Sequence, residues 1–206
     1  MSLSRRTLML APAVLLPVAA AAQGTPQGGG VDLGERSAGP ANAPVTVQEF
    51  FSLTCTHCAA FHRETWPRVK QELVEKGRMR MVWRDFPLDQ LALAAAQVAR
   101  SLPPERYEGF IGALLSSQER WAFNRNADNI AEIAKIAALA GMNRQQVDAA
   151  INNEALRRAI LEERLKAEQQ YKVSSTPSFA FGASKVVPGE LSFDRFSQLV
   201  QEASGA

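Results

Sequence analysis

The chain reads Val45-Thr-Val-Gln-Glu-Phe-Phe51 and continues Ser-Leu-Thr-Cys55-Thr-His-Cys58. The first seven residues are mostly β-branched or aromatic and follow a proline, which is typical of a strand. Beyond them helix-forming residues dominate, and apolar side chains recur at three-to-five spacing: Cys58, Phe61, Trp66, Val69 and Leu73. The two cysteines therefore stand where a strand passes directly into a helix.

The residues after this junction complete a β–α–β order. Pro67 lacks a backbone donor and is expected to kink the first helix, and Gly77 is expected to end it. Residues 78–84 alternate and then become apolar, which predicts a second strand. Two strands joined by a helix are parallel by default, with a right-handed crossover.

A long helical region is predicted at about residues 88–171. Its apolar periodicity predicts five helices, at 91–102, 105–116, 127–139, 143–151 and 154–171. Residues 178–181 and 185–187 predict a hairpin, and residues 191–203 a final helix. The fold class is therefore α/β, with a βαβ unit, an inserted helical domain and a ββα unit.

Residues 1–22 have the pattern of an export signal. Arg5 and Arg6 precede an uncharged run of Leu, Val and Ala that ends in small residues, which is typical of a secretory signal peptide, and the paired arginines also resemble a twin-arginine signal. Either route leads out of the cytoplasm and predicts the periplasm. Residues 23–44 are predicted to be a flexible linker and domain entry, leaving 45–206 as the folded domain.

Composition and charge argue against nucleic-acid binding. The 206 residues include 23 Lys and Arg against 21 Asp and Glu, and two of the arginines lie in residues 1–22. The rest of the chain carries no net charge and lacks the basic surface that phosphates require. Two cysteines are too few for a disulfide scaffold, so their spacing points to chemistry.

A C-x-x-C pair at the start of a helix has a physical reason to be redox-active. The unpaired N–H groups and positive dipole of the helix N-terminus favour a thiolate at Cys55, and His57 can favour the same anion. Such sites bring the pKa of a cysteine from about 8.5 into the range of about 3.5–7.5. Cys58, one turn into the helix, is expected to be more buried, which makes Cys55 the attacking sulfur and Cys58 the resolving one.

Two other interpretations of the cysteines stay open. A static disulfide would close only a small loop and give little entropic stabilisation. A metal-binding or chaperone module could use Cys55, Cys58, His57 and His62, although structural zinc sites often take ligands from a second, distant pair, which the sequence lacks. Covalent haem attachment is excluded because it needs C-x-x-C-H and residue 59 is alanine.

A second signal lies in Thr176-Pro177, directly before the predicted strand at 178–181. Proline cannot donate to a strand ladder, so it belongs at the start of a strand, and a cis X–Pro bond is a recurrent feature there. Taken together, the run Glu49-Phe-Phe-Ser-Leu-Thr-Cys-Thr-His-Cys58, the element order and Thr176-Pro177 resemble a DsbA-like thiol:disulfide oxidoreductase with a thioredoxin-like fold. The resemblance covers residues 45–203.

The resemblance implies roles for individual residues. Cys55 matches the family's exposed nucleophile, Cys58 its resolving cysteine, and His57 the histidine that stabilises the thiolate. Pro177 matches a proline that is cis in the family and packs beside the disulfide. Thr176 would offer backbone groups to an extended substrate peptide.

Glu49 matches an acidic residue beneath the active site that helps move the proton of the resolving thiol; the alternative is a solvent-facing strand residue. Two features depart from the best-known members. Thr56 replaces a proline between the cysteines, and threonine before the cis-proline also occurs in disulfide isomerases. The isomerases generally carry an added dimerisation domain, for which residues 23–44 are too short.

The leading hypothesis is therefore a periplasmic oxidase that donates its Cys55–Cys58 disulfide to newly exported polypeptides with free thiols, through a mixed disulfide. A quinone-linked membrane protein would reoxidise it, by family resemblance, and neither a cofactor nor a metal is expected. A reductase or isomerase of the same fold is the first alternative, and the metal-binding module is the second.

Overall fold

The computed structural model describes residues 33–182 and 185–205. The predicted signal peptide and the first part of the predicted linker lie outside the described residues. The described strands form one five-stranded sheet in the order β1-β3-β2-β4-β5. Their bounds are β1 Arg36–Ala38, β2 Val45–Phe51, β3 Met79–Asp85, β4 Ser178–Phe181 and β5 Lys185–Pro188.

Strand β2 is flanked by β3 and β4 within the sheet. It runs parallel to β3, with Glu49 opposite Trp83, and antiparallel to β4, with Glu49 opposite Phe179. Strand β5 pairs antiparallel with β4 and completes the predicted hairpin. One face of β2 is buried along its whole length, whereas on the other face Thr46 is exposed, Gln48 is half-buried and Phe50 is buried.

The prediction that the folded domain begins at Val45 is wrong. Strand β1 pairs antiparallel with β3, placing Arg36 opposite Trp83 and Ala38 opposite Met81. The Arg36 guanidinium donates to the carbonyls of Arg100 and Leu102 at 3.1 and 3.3 Å, anchoring the strand to the helical insertion. A three-residue strand without apolar alternation gives no periodic signal, so the sequence could not indicate it.

The first helix changes its winding along its length. It begins as α1 (Thr56–Ala60), widens to a π-helical turn at Phe61–Thr65, returns to α as α2 (Trp66–Val69) and widens again at Lys70–Val74. Pro67, which cannot donate a backbone hydrogen bond, lies in the first turn of α2, and the N–H of Trp66 donates to the carbonyl of Phe61, five residues back. Instead of the kink predicted at Pro67, the helix has a wider, π-helical turn just before the proline.

The helical insertion contains the five predicted helices and one more. The bounds are α3 Gln90–Arg100, α4 Pro104–Ser116, α5 Gln118–Trp121, α6 Asn129–Leu139, α7 Arg144–Ile151 and α8 Glu154–Gln170, and α9 Phe193–Ser204 follows the hairpin. Side-chain caps begin many of them, including a capping box at Asn143 and Gln146. Helix α5 was not predicted, because four residues are too few for a periodic pattern. No described helix is long and apolar enough to cross a membrane.

Apolar side chains cover both faces of the sheet. Phe61 of the first helix stacks on Phe179 of β4 with ring centroids 4.6 Å apart, and Phe196 of α9 joins them. The opposite face carries a smaller cluster that includes Phe50, Phe86 and Ala167, the last of these on α8. Because Val47, Glu49 and Phe51 share one face of β2, Glu49 lies in the interior beneath the first helix.

Candidate active site

Cys55 is the N-cap residue of α1. Its backbone is extended (φ −83°, ψ 120°), and its sulfur accepts a hydrogen bond from the Cys58 N–H at 3.3 Å. Its own N–H donates to the Ser52 carbonyl at 3.1 Å, which fixes the turn that leads into the helix. Both cysteines are free thiols; Cys55 keeps 7% of its surface exposed and Cys58 none. The more accessible sulfur is therefore the first one.

The surroundings of Cys55 stabilise its thiolate. The Cys58 thiol makes the largest contribution, and together with the Thr176 side chain and the backbone N–H groups of Cys58 and His57 it outweighs burial, lowering the pKa of Cys55 to about 6. A cysteine with this pKa is about nine-tenths thiolate at neutral pH. The helix N-terminus contributes through individual N–H groups that point at the sulfur.

Cys58 has the opposite character. Burial raises the pKa of its thiol well above the ordinary value, and the neighbouring Cys55 sulfur and the Glu49 carboxylate raise it further. Cys58 therefore keeps its proton in the dithiol while Cys55 loses its own. The two thiols therefore differ in acidity although they lie within one turn of helix.

The Thr176–Pro177 peptide bond is cis. It brings the Thr176 carbonyl to 3.3 Å from the Cys55 sulfur, where it accepts a hydrogen bond from the thiol. The N–H of Gly189 donates to the Pro177 carbonyl at 2.7 Å, so the segment after β5 holds this turn in place. The structure thus brings the two motifs identified in the sequence into contact.

The His57 ring pairs with Glu190. Its Nδ1 lies 3.3 Å from a carboxylate oxygen of Glu190, and 73% of its side chain is exposed. It is the backbone N–H of His57 that acts on Cys55. The pairing with Glu190 could not be found from the sequence, because 133 positions separate the two residues.

Glu49 is completely buried and pairs with His62. The Nε2 atom of His62 lies 3.0 Å from both carboxylate oxygens, and the side chains are 5% and 0% exposed. The alternative of a solvent-facing Glu49 is wrong. His62 follows Cys58 by four residues, one helical turn, so the spacing could have placed it on the same face.

The candidate metal ligands do not converge. His62 pairs with Glu49, whereas the His57 ring pairs with Glu190. Within residues 33–182 and 185–205, no group of three or more His, Cys, Asp or Glu side chains is placed to hold a metal ion.

Comparison with known proteins agrees with this geometry. The family model described as thioredoxin matches residues 32–202. This chain belongs to the thioredoxin family. The predicted thioredoxin-like fold is confirmed.

Within the thioredoxin family, the chain is similar to proteins named as disulfide oxidoreductases. A Rickettsia felis protein named as a protein-disulfide oxidoreductase is 26% identical over 174 residues, covering 84% of this chain and 61% of the relative. DsbA of Haemophilus influenzae is 26% identical over 77% of each chain. The crystal structure of α-DsbA1 from Wolbachia pipientis aligns with a TM-score of 0.76 at 25% identity, covering 83% of this chain and 91% of that one. The resemblance to DsbA-like thiol:disulfide oxidoreductases is confirmed, although the chain spans only about six-tenths of the length of the rickettsial relative.

A cleft of about 760 Å³ lies beside the cis-proline turn of this thioredoxin-family protein. Its lining residues are His57, Glu64, Thr65, Ser175, Thr176, Gly189, Glu190, Leu191, Ser192 and Phe193. It lies next to the sulfur of Cys55, because Thr176 contacts both. The lining is mostly polar and includes backbone from the cis-proline turn.

No local sequence pattern indicates that Gln118 contacts this site. Its side-chain amide, 5% exposed, donates to the carbonyls of Leu53 and Cys55 at 2.8 and 3.0 Å. Gln118 lies in α5, 63 positions after Cys55, so only the folded insertion brings it to the active-site turn.

Proposed function

We propose that this chain is a DsbA-type thiol:disulfide oxidoreductase that donates a Cys55–Cys58 disulfide to exported polypeptides with free thiols. The observation that carries the proposal is the opposite behaviour of the two thiols. The pKa of Cys55 is lowered to about 6 and that of Cys58 is raised. Stabilising the thiolate of the reduced pair makes its disulfide the more oxidising partner in an exchange.

The exchange begins when a substrate thiolate attacks the Cys55 sulfur of the disulfide. The Cys55–Cys58 bond breaks, its electron pair goes to Cys58, and a mixed disulfide joins Cys55 to the substrate. A second substrate thiolate then attacks the substrate sulfur of that bond, and Cys55 leaves as a thiolate. The substrate loses two electrons and gains a disulfide, and the enzyme is reduced to the dithiol. The low pKa of Cys55 makes it a good leaving group.

Glu49 is the group that we propose to exchange a proton with Cys58. Cys58 is fully buried, so the thiolate formed when it leaves needs a proton from inside the protein. The buried Glu49 carboxylate acts electrostatically on this thiol and lies against His62. A buried carboxylate with one histidine partner can accept and return a proton, as a general acid–base group does.

An extended substrate would bind along the cis-proline turn. The Thr176 carbonyl and the polar cleft beside it offer hydrogen-bonding groups next to the sulfur of Cys55. Backbone pairing of this kind recognises a chain without requiring particular side chains, which suits an enzyme that acts on many partly folded proteins. His57, at the rim of the cleft, is placed to meet the substrate.

The proposed location is the periplasm, supported by the signal-peptide pattern of residues 1–22. A quinone-linked membrane protein is the proposed reoxidant, by likeness to the DsbA group. Both proposals can be tested by following where the full-length chain accumulates and whether its cysteines are oxidised when quinone synthesis is blocked.

The direct test is the equilibrium of the Cys55–Cys58 pair with glutathione, together with oxidation of a reduced, unfolded substrate. An oxidase should have a potential nearer to −120 mV than to −270 mV, the values of a strong oxidant and of a reductase. A potential near the reductase value, or efficient rescue of a scrambled substrate, would favour the reductase or isomerase alternative that Thr176 keeps open. A Cys58→Ser variant should accumulate mixed disulfides, and a Cys55→Ser variant should not.

A further inference from the structure

The turn before Cys55 is held by the helical insertion rather than by the sheet alone. The Thr54 hydroxyl donates to the Asp89 carboxylate at 2.6 Å, and the Ser52 hydroxyl accepts from the Leu88 N–H at 3.3 Å. Both partners lie at the start of the insertion. Gln118 contacts the same turn from within the insertion.

Gln118 differs from the other contacts because it binds the backbone of the nucleophile itself. Its Nε2 donates to the carbonyls of Leu53 and Cys55 at 2.8 and 3.0 Å, using both amide hydrogens. The Leu53 side chain is 2% exposed and the Gln118 side chain is buried, so water cannot readily replace these bonds. The contact therefore fixes the peptide group before Thr54 and the peptide group after Cys55.

The Cys55 carbonyl also starts the helix, since it accepts from the Ala59 N–H at 3.1 Å. Its orientation and that of the Cys55 side chain are set by the same backbone angles. With the Cα–Cβ bond held in that direction, the sulfur lies 3.3 Å from the Cys58 backbone nitrogen. A group that fixes the Cys55 carbonyl thus also fixes where the sulfur lies relative to the N–H groups that stabilise its anion.

We propose that Gln118 is a positioning residue for Cys55, through which the helical insertion controls the oxidising strength of the Cys55–Cys58 pair. The inference rests on the proposed function and adds a determinant outside the C-x-x-C motif and the cis-proline turn. Gln118 takes no part in bond making or breaking. It acts by holding the N-cap geometry in which the sulfur meets the helix N-terminus.

The chain offers a matched control in Gln97, another buried glutamine of the insertion. Its Nε2 donates to the carbonyls of Ala150, Ile151 and Asn153 at 3.0 to 3.1 Å, at the end of α7. Methionine has nearly the shape of glutamine but no donors. Gln118→Met and Gln97→Met therefore both remove a side-chain amide that donates hydrogen bonds to backbone carbonyls, next to Cys55 in one case and at α7 in the other.

The experiment measures the Cys55 pKa by thiolate absorbance and the glutathione equilibrium of wild type and both variants. We expect Gln118→Met to raise the pKa of Cys55 by about one unit, a tenfold change in the ionisation constant, and to shift the redox equilibrium toward the disulfide by a similar factor. Gln97→Met should leave both quantities at the wild-type values. If Gln118→Met does not fold, Gln118→Asn, which is shorter by one methylene, serves for the same measurements.

Two results would overturn the inference. One is a folded Gln118 variant with the pKa and equilibrium of wild type; the other is an equal shift in the Gln97 variant, which would mean a general loosening of the insertion. Failure of the proposed function is seen separately, in the wild-type protein, as an unshifted Cys55 or a reducing potential. Urea unfolding of both variants shows whether their losses of stability are comparable.

Discussion

At the scale of single residues, the surroundings of the two cysteines give their thiols very different pKa values. Cys55 faces donors: the Cys58 thiol, the Thr176 side chain and two backbone N–H groups. Cys58 is shielded from solvent, and the buried carboxylate of Glu49 acts electrostatically on its thiol. The two sulfurs that differ in pKa are only three positions apart, within one turn of helix. Small changes in backbone geometry should therefore change their pKa values.

The lowered pKa of Cys55 predicts how the stability of the reduced protein depends on pH. A group whose folded pKa is depressed stabilises the fold above its unfolded pKa, near 8.5, and this contribution is lost as the pH falls through about 6. Between pH 8.5 and 6, the reduced wild type should lose about 3 kcal/mol of unfolding free energy relative to Cys55→Ser. Cys58, with its raised pKa, stays protonated over this window.

Urea unfolding under a reductant at several pH values measures this difference. The oxidised protein, which has no thiols to ionise, is the control and should not show the change. A reduced wild type that follows the pH profile of Cys55→Ser would contradict the ionised sulfur on which the mechanism depends.

The buried Glu49 predicts a kinetic effect on the steps that move the proton of Cys58. General acid–base groups typically contribute rate factors of about 10²–10⁴, so Glu49→Gln should slow disulfide exchange by at least about tenfold while leaving the Cys55 pKa nearly unchanged. Stopped-flow fluorescence with a dithiol peptide separates the formation of the mixed disulfide from its decay.

Glu108→Gln is a suitable control for this substitution. Glu108 accepts hydrogen bonds from Trp66 Nε1 at 3.2 Å and from Lys70 at 2.7 Å, so it is also a paired carboxylate near the first helix. It has no contact with Cys58 among those found in the described part of the chain. Equal slowing in both variants would show that Glu49 has no specific role in proton transfer.

At the scale of elements, the first helix depends on a cysteine for its N-cap. Serine is among the best capping residues, and loss of a cap typically costs about 1 kcal/mol. We therefore expect Cys55→Ala to be less stable than Cys55→Ser by about this amount, because only serine can accept from the Cys58 N–H. Thermal or urea unfolding of the two variants at pH 7 tests this. Equal stabilities would mean that the turn at Ser52, and not the cap, holds the helix start.

The elements also show what the sequence could and could not predict. Strand β2, the first helix and the Thr176-Pro177 motif were predictable because their signals are local: alternation, periodicity and a proline before a strand. Strand β1 and α5 were not, since three or four residues carry no period. The partners of Cys55 and His57, Gln118 and Glu190, could not be predicted for another reason: they meet the site only through tertiary contacts, over 60 or more positions.

At the scale of the whole molecule, a buried polar cluster joins the sheet to the helical insertion. Arg100 of α3 pairs with Asp85 at the end of β3, and both side chains are about 5% exposed. The Tyr107 hydroxyl of α4 donates to the same carboxylate at 3.2 Å, and Arg100 also donates to the Gly34 carbonyl at 3.0 Å. One carboxylate therefore connects β3 to two helices, and its arginine connects them to the segment before β1.

This cluster predicts a large loss of stability without a change in redox chemistry. Asp85→Ala leaves the Arg100 charge buried without its carboxylate, which typically costs about 3–5 kcal/mol. The double variant Asp85→Ala with Arg100→Met should recover part of that loss of stability, since it also removes the buried, unpaired charge of Arg100. Urea unfolding measures both, and the glutathione equilibrium of the folded variants should match wild type. A shifted equilibrium in Asp85→Ala would mean that the insertion acts on Cys55 through its overall docking on the sheet, and not through the hydrogen bonds of Gln118 at the active-site turn.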